Sequence, residues 1–138
     1  MDQSTKTAWV ILSMTLIFLT LLYMFFHYLR KDSERKIANN LGYSIGVLKN
    51  ITTAGTPMSI EVYFDFEANS RTYNGMKDSG KTIGYKAAVI GNQYLMIYDT
   101  LNPENCQILF DYPIKDSSDF IRYLEEFKTK PLDMNRYF

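Results

Sequence analysis

The stretch SIEVYFDFEA, residues 59–68, decides the fold of the soluble part of this chain. Its apolar and polar side chains alternate with a period of two residues, which is the period of a β-strand. The two faces are Ile60, Val62, Phe64 and Phe66 on one side and Glu61, Tyr63, Asp65 and Glu67 on the other. One apolar and one polar face indicate a half-buried strand of an antiparallel sheet.

Turn-forming residues divide the neighbouring sequence into further short strands. Asn69-Ser70 predicts a two-residue hairpin turn, because Asn tolerates a left-handed backbone. Residues 71–75 then form the return strand, and the polar residues 76–84 form a loop. Residues 47–51 are predicted as the first strand of the sheet.

The stretch YLMIYDTLNPENCQILF, residues 94–110, predicts a second hairpin with an Asn-Pro turn. Leu95 and Ile97 share one face of its first strand and are expected to be core residues. Its second strand, residues 108–110, is expected to end before Pro113, because proline lacks a backbone N–H.

A helix is predicted at residues 118–128, because Ser117, Ser118 and Asp119 are good N-caps and Pro131 stops a helix. Its apolar face, at the 0, 3, 4, 7 spacing of a helix, consists of Phe120, Tyr123, Leu124 and Phe127. Such a helix usually covers an open face or edge of a sheet. The predicted domain, residues 45–130, is therefore mainly β, a small antiparallel barrel or sandwich closed by one C-terminal helix.

Residues 8–29, AWVILSMTLIFLTLLYMFFHYL, contain no charged side chain and predict a transmembrane helix. In helical form they span about 33 Å, enough for a bilayer core. Trp9 and Tyr28 suit the two membrane interfaces. His27 can be read as an intramembrane functional residue, but its place near the helix end favours an interfacial anchor. The run exceeds the apolar part of a signal peptide and no cleavage site follows, which favours an uncleaved single-pass anchor.

The flanks of this segment differ in positive charge. Residues 1–7 form a short tail containing Lys6, whereas the charged linker or stalk at residues 30–44 begins RKDSERK. Within it, residues 32–40 are predicted as a polar helical continuation or a stalk. With four Lys and Arg in residues 30–36 against one in the tail, the positive-inside rule places the soluble domain in the cytoplasm. A periplasmic domain stays open, because this rule has exceptions.

Composition argues against several function classes. The formal net charge is zero, so no strong positive field recruits nucleic acid. The chain has one histidine, His27, and one cysteine, Cys106. A disulfide within the chain, a zinc site and a nucleophilic triad each need more of these residues. We therefore expect no catalytic residues, metal or cofactor.

Residues 75–82, GMKDSGKT, match the spacing of a phosphate-binding loop that would use Lys81. That motif works between a buried parallel strand and a helix N-terminus. The preceding RTYN is short and polar, and the following TIGYKAAVIGN is a poor helix. A nucleotide-binding protein is therefore the weakest of the functional hypotheses.

The polar face of residues 59–68 carries the carboxylates Glu61, Asp65 and Glu67. They could act in acid–base chemistry or bind a cation, but a solvated strand face explains them better. Tyr63 together with Tyr94, Met96 and Tyr98 could form an aromatic binding platform, although cross-strand packing accounts for the same residues.

The order of these motifs resembles an uncharacterised bacterial family of membrane-anchored small β domains with a G-x-x-(Y/V)-x-V-x-Y-D-P-x-N-P type motif. The resemblance covers about residues 37–115, and the matching pieces are Gly46-Val47, YFDF at 63–66, NSRTYNG at 69–75, Gly91 and YLMIYDTLNP at 94–103. Ser70 replaces the usual turn glycine and Thr100 replaces the first proline. The resemblance implies a β-rich domain at the bacterial inner membrane whose biochemical role is unknown.

The favoured function is a non-enzymatic accessory or protein-interaction subunit of a bacterial envelope complex, with immunity and inhibitor proteins as examples. Its expected contacts are the lipid bilayer and a membrane or envelope protein. The candidate interaction residues are Tyr63, Tyr94, Tyr98, Met134, Tyr137 and Phe138. The last three lie in the tail, residues 131–138, which shows no core role in sequence. The alternative is a module that binds a small ligand or an envelope polymer in a concave pocket lined by the sheet tyrosines.

Overall fold

A computed structural model of the 138-residue chain describes residues 2–54, 59–78 and 84–138. It divides into two compact units, residues 1–33 and 34–138. The helices and strands, in chain order, are α1 (Gln3–Asn39), β1 (Leu41–Ala54), β2 (Ser59–Ala68), β3 (Arg71–Asp78), β4 (Gln93–Asp99), β5 (Cys106–Ile114) and α2 (Ser117–Thr129). One short 3-10 turn, Tyr85–Ala87, lies between β3 and β4, and another, Met134–Arg136, follows α2.

The N-terminal part of α1 exposes its apolar side chains: the large apolar residues between Trp9 and Leu29 are each at least 40% exposed. The hydroxyls of Ser13, Thr15 and Thr20 donate to backbone carbonyls of the same helix at 2.8–2.9 Å. Their polar groups are thereby satisfied without an outside partner. By length and composition, this helix can cross a membrane.

The polar residues 32–40, predicted as a helical continuation or a stalk, continue α1 as far as Asn39. The predicted linker is nevertheless too long at its C-terminal end, because β1 begins at Leu41. Residues 41–44 therefore belong to the sheet. Ile37, in the last turns of α1, is fully buried in the core of the second unit.

The five strands form one antiparallel sheet in the order β3-β2-β1-β4-β5. The first three strands follow one another as a meander, and the chain then crosses to the other side of β1 to form β4. This arrangement of four strands is a Greek key. Asn69 and Ser70 have φ of 52° and 60°, the left-handed geometry of the predicted two-residue turn.

The predicted mainly-β domain with a C-terminal helix is confirmed, but its strands form one open sheet and not a barrel or a sandwich. The sheet is open, and in the described part of the chain no ladder pairs its edge strands, β3 and β5. Alternation along a strand shows which side chains share a face. It carries no information on whether the two edges of a sheet meet, so the sequence alone could not distinguish an open sheet from a barrel.

Both faces of β4 are buried, so the sheet has two cores. Tyr94, Met96 and Tyr98 face the first core, and the predicted core residues Leu95 and Ile97 face the second. The first core also contains Leu48, Val62, Phe64, Phe66, Ala68, Cys106, Ile108 and Phe110.

Helix α2 covers the second core. The Phe127 ring stacks on Tyr43 of β1 at 5.7 Å between centroids and meets Tyr112 of β5 edge-on at 5.2 Å. The N-cap is Asp116, one residue before the predicted caps, and its carboxylate accepts from the backbone N–H of Ser118 and Asp119. Of the predicted apolar face, Phe120, Tyr123 and Phe127 contribute to the second core, whereas Leu124 is not part of that cluster.

Strands β1, β3 and β5 run further than predicted, and β1 extends beyond the predicted residues 47–51 at both ends. β3 continues to Asp78, so Met76 lies in a strand and not in a loop. β5 continues to Ile114 and contains Pro113, which pairs with Tyr94 beside an irregularity in the ladder. Proline is tolerated there because β5 is an edge strand with no ladder partner on one side.

Candidate interaction surface

Two of the three sheet tyrosines are core residues. Tyr94 and Tyr98 are 4% and 9% exposed. The Tyr94 ring lies edge-on to Phe110 at 4.9 Å, and its hydroxyl accepts a hydrogen bond of 2.9 Å from the Val89 N–H. The Tyr98 ring lies 5.8 Å from that of Phe66. These rings fill the first core and present no surface to a ligand.

Tyr63 points to the opposite face of the sheet and is 37% exposed. The structure therefore does not bring Tyr63, Tyr94 and Tyr98 together. The ligand-binding alternative predicted a concave pocket lined by Tyr63, Tyr94 or Tyr98. The rings of Tyr94 and Tyr98 are buried in the first core, which counts against such a pocket.

The tail residues pack on their own domain. Tyr137 is 3% exposed and donates a hydrogen bond of 3.2 Å to Asp111 Oδ2, while Met134 and Phe138 lie against the second core. Burial, reinforced by the negative charge of nearby Asp111, raises the pKa of the Tyr137 phenol. Arg136 makes an ion pair of 2.8 Å with the same carboxylate. The tail thus has the core role that its sequence did not reveal.

A pocket of about 250 Å³ lies between α2 and the tail. Of the predicted interaction residues, only Tyr137 lines it. Its rim carries charges of both signs, and two of them are already engaged: Arg136 with Asp111, and the Asp133 carboxylate with the Asn135 N–H. The remaining lining residues are Tyr112, Glu126, Phe127, Lys130, Pro131 and Leu132. This mixed rim selects no single class of ligand.

The outer side of β2 and β3 is exposed, and we call it the open face. Tyr63 of β2 and Met76 of β3 are directly opposite each other in the ladder and are 37% and 52% exposed. Directly opposite side chains on one sheet face lie about 5 Å apart, so the two form one apolar patch.

Polar side chains beside this patch are held by hydrogen bonds and an ion pair. The Tyr63 hydroxyl donates to Glu61 Oε2 at 2.5 Å, and this bond raises the pKa of the Tyr63 phenol. Asp65 accepts from Asn74 Nδ2 at 2.6 Å and lies 3.3 Å from Lys49 Nζ. These contacts fix the orientation of groups that would otherwise be mobile in solvent.

The open face is acidic. Its described charged side chains are Glu61, Asp65 and Glu67 against Lys49, which gives a formal charge of −3 + 1 = −2. A surface with an apolar centre and an acidic rim is complementary to a partner that presents an apolar group beside Lys or Arg side chains.

Met76 was not predicted as a surface residue of the sheet, although the sequence contains the information that places it opposite Tyr63. A two-residue turn at Asn69-Ser70 pairs residues whose numbers add to 139, as in the observed pair Ala68 and Arg71. Counting back along the ladder places Met76 opposite Tyr63. The error was to end the return strand at residue 75.

The described residues give little support to catalysis. Cys106 is 1% exposed, and burial raises its pKa to about 11, so the thiol is protonated at neutral pH. No group of three or more His, Cys, Asp or Glu side chains that could hold a metal occurs in residues 2–54, 59–78 and 84–138. Gly75 of the suspected phosphate loop lies inside antiparallel β3, and Lys81 falls outside the described residues.

The fold and the open face together define a protein with a long apolar helix and a Greek-key sheet covered by one helix. Comparison of the chain with family models, curated proteins and solved structures finds no match. The resemblance to a bacterial family of membrane-anchored β domains therefore stays a prediction. The functional proposal depends on the geometry of the chain itself.

Proposed function

We propose that this chain is a single-pass accessory subunit of a bacterial envelope complex, and that its soluble domain binds a protein partner through the open face. An immunity or inhibitor protein is one form of such a subunit. The observation that carries the proposal is the exposed pair of Tyr63 and Met76 beside carboxylates held by their own contacts. Aromatic residues and methionine are enriched in protein interfaces, and a polar rim commonly surrounds them.

The size of the open face supports a modest affinity. β2 has ten residues, so two strands of this length cover roughly 33 by 10 Å, or about 300 Å². A stable interface between two soluble proteins buries about 800 Å² on each partner. A smaller contact suffices when both proteins lie in one membrane, because confinement raises their effective concentration. A membrane anchor and a small interaction face are therefore both compatible with a subunit that binds another protein of the same membrane.

The proposed location is the bacterial inner membrane, with the domain on the cytoplasmic side. Two measurements test it. The anchored chain should resist extraction from membranes with alkaline carbonate. An I121C variant places a thiol on an exposed position of α2, and an impermeant maleimide should label it only after the cells are opened. Labelling in intact cells would instead place the domain in the periplasm.

Site-specific photocrosslinking tests the interaction face. A photoreactive amino acid at Met76 should give a discrete crosslinked product in native host cells, while the same group at Ile121 should not. Both positions are more than half exposed, so exposure alone cannot explain a difference. The crosslinked partner, identified by mass spectrometry and then purified, should bind the wild-type chain with saturation.

A Y63S/M76S variant should weaken this binding at least tenfold, because it removes the apolar centre of the contact. The matched control is L101S/I121S, which changes two other exposed apolar residues, 80% and 59% exposed. Binding should also weaken at high salt, because the acidic rim is solvent-accessible. Equal crosslinking from Met76 and Ile121, or undiminished binding by Y63S/M76S, would refute the proposed face.

A further inference from the structure

Strand β3 forms one edge of the sheet and pairs with β2 through eight successive residue pairs without a bulge. In an antiparallel ladder, alternate residues turn their N–H and C=O groups away from the partner strand, so about three of the six residues from Arg71 to Met76 present both groups outward. Among the described residues, no backbone hydrogen bond reaches Arg71 to Met76 from any segment other than β2.

The other edge of the sheet, β5, is protected against further pairing. Pro113 has no N–H to offer, and its carbonyl accepts a hydrogen bond of 3.0 Å from the Tyr123 hydroxyl of α2. The Gln107 side chain donates to the Ile108 carbonyl at 3.2 Å. Proline and covering groups are common means of keeping an edge strand from pairing. Residues 71–76 of β3 contain no proline and form a regular ladder, so β3 is the edge that can accept a further strand.

The β3 edge adjoins the open face, which alone is too small for a stable interface. The open face covers about 300 Å², whereas a stable contact between two soluble proteins buries about 800 Å² on each partner. An extended segment along β3 would add main-chain hydrogen bonds to this contact. Every second side chain of that segment would lie beside Thr72, Asn74 and Met76, which share the open face.

The charges of the open face indicate which side chains such a strand would carry. Tyr63 and Asp65 of β2 lie two strand spacings, or about 10 Å, from the position of an added strand. Lys and Arg side chains are long enough to extend over β3 toward Asp65 and its neighbours Glu61 and Glu67. Because the open face has a formal charge of −2, basic side chains there would be attracted and acidic ones repelled. An apolar side chain beside Met76 would enlarge the exposed apolar patch.

A second copy of this chain is poorly suited to the same edge. Two copies paired antiparallel around Asn74 would set Arg71 of each copy opposite Lys77 of the other, and like charges directly opposite each other are destabilising. In every antiparallel register, one continuous sheet would also place two acidic open faces side by side. The charge of the chain therefore favours a different protein as the occupant of this edge.

We propose that the partner of the open face adds an extended segment to β3 as a sixth strand of the sheet. The segment carries an apolar side chain beside Met76 and Lys or Arg two residues to either side of it. This inference rests on the proposed function, because the partner is the protein that contacts Tyr63 and Met76. Main-chain pairing supplies affinity, and the alternate side chains select a basic and apolar pattern.

A synthetic peptide, acetyl-TKTLTKT-amide, is the probe for this strand. As a strand it presents Lys, Leu and Lys on one side and Thr on the other. We expect it to bind the full-length chain in non-ionic detergent with saturation, measured by the fluorescence anisotropy of a labelled peptide. It should also slow amide hydrogen exchange in residues 71–76. The acidic peptide acetyl-TETLTET-amide should bind about tenfold more weakly or worse at low salt.

N-methylation of the probe separates strand pairing from side-chain contact alone. One form carries three N-methyl groups on the two Lys and the Leu, and the other carries three on the last three Thr. The two forms have the same side chains and the same number of methyl groups, so each is the control for the other. Because only alternate N–H groups of a strand point to one neighbour, one form should lose about tenfold or more in affinity and the other less than about threefold.

The Y63S/M76S variant distinguishes this inference from the proposed function. It should weaken binding of the probe, whereas the control L101S/I121S should not. If Y63S/M76S weakens binding but the two N-methylated forms behave alike, strand addition is overturned and the open face stands as the contact. Undiminished binding by Y63S/M76S would count against the open face itself, and with it against the sixth strand.

Two further results would overturn the proposal. One is failure of acetyl-TKTLTKT-amide to bind with a Kd below about 1 mM. The other is a chain that is dimeric in analytical ultracentrifugation, with residues 71–76 protected from exchange before any peptide is added. That result would assign the β3 edge to a second copy.

Discussion

Tyr137 should be one of the residues on which the stability of the domain depends, although it lies in a segment that reads as a tail. Its ring is 3% exposed in the second core, and its hydroxyl donates to Asp111. Truncating a buried aromatic side chain to alanine costs about 3–5 kcal/mol. Removing one hydrogen bond alone costs about 1 kcal/mol. We therefore expect Y137A to lower the free energy of unfolding by about 4 kcal/mol and Y137F by about 1 kcal/mol.

The assay is urea unfolding of the full chain in mild detergent, followed by the near-UV circular dichroism of the tyrosines. The fluorescence of Trp9 is unsuitable, because Trp9 lies in the apolar part of α1 and the chain has no other tryptophan. Y63A serves as the control, since Tyr63 is 37% exposed and outside both cores. If Y137A unfolds within about 0.5 kcal/mol of wild type, Tyr137 is not a core residue and the tail is again available to a partner.

Three further predictions concern the sheet and α2. Burial raises the pKa of Cys106 from 9.0 to about 11. Stability should therefore be unaffected by this thiol below pH 9 and should fall by about 2–3 kcal/mol between pH 9 and 11, because the unfolded thiol loses its proton first. A C106A variant should lack this component in urea titrations across the range, and an unchanged pH profile would contradict the burial of the thiol. A Cβ at Gly75 would lie 2.1 Å from the Phe64 ring, so G75A should cost about 1–3 kcal/mol. Adding F64L should recover part of that loss in a double-mutant cycle, and strictly additive losses would argue against the contact. Finally, D116A should cost about 1 kcal/mol, because the Asp116 carboxylate caps α2. Faster hydrogen exchange confined to the first turn of α2 would support that assignment, and unchanged exchange would oppose it.

Local pattern predicted those elements whose signal lies in neighbouring residues. The alternation at residues 59–68 predicted β2 with its observed bounds, Ser59–Ala68. Asn69-Ser70 predicted the hairpin turn between β2 and β3. The helical spacing of Phe120, Tyr123 and Phe127 predicted the face of α2 that meets the second core. Each of these depends on backbone conformation or on one periodic face, and both are local properties of the chain.

The errors concern contacts between distant parts of the chain. The sequence indicates no core role for the tail, because Tyr137 and Met134 lie in no periodic pattern that marks a core face. Their burial depends on Asp111 and on the second core, whose position follows from the sheet order. The barrel was wrong for a related reason, because closure depends on whether β3 and β5 meet. No property of either strand alone decides that.

The comparison of β2 with β4 shows how the open face could have been located from the sequence. β4 contains YLMIY, an unbroken apolar run, and the structure buries residues 94–99 on both faces. β2 alternates, and its polar face carries Tyr63 and the carboxylates. A continuous apolar run indicates cover on both sides of a strand, whereas alternation indicates one uncovered side. In a sheet ordered β3-β2-β1-β4-β5 with α2 packed on β1 and β5, the uncovered side falls on β2 and β3. A partner that binds there would complete the cover that α2 provides over the rest of that face.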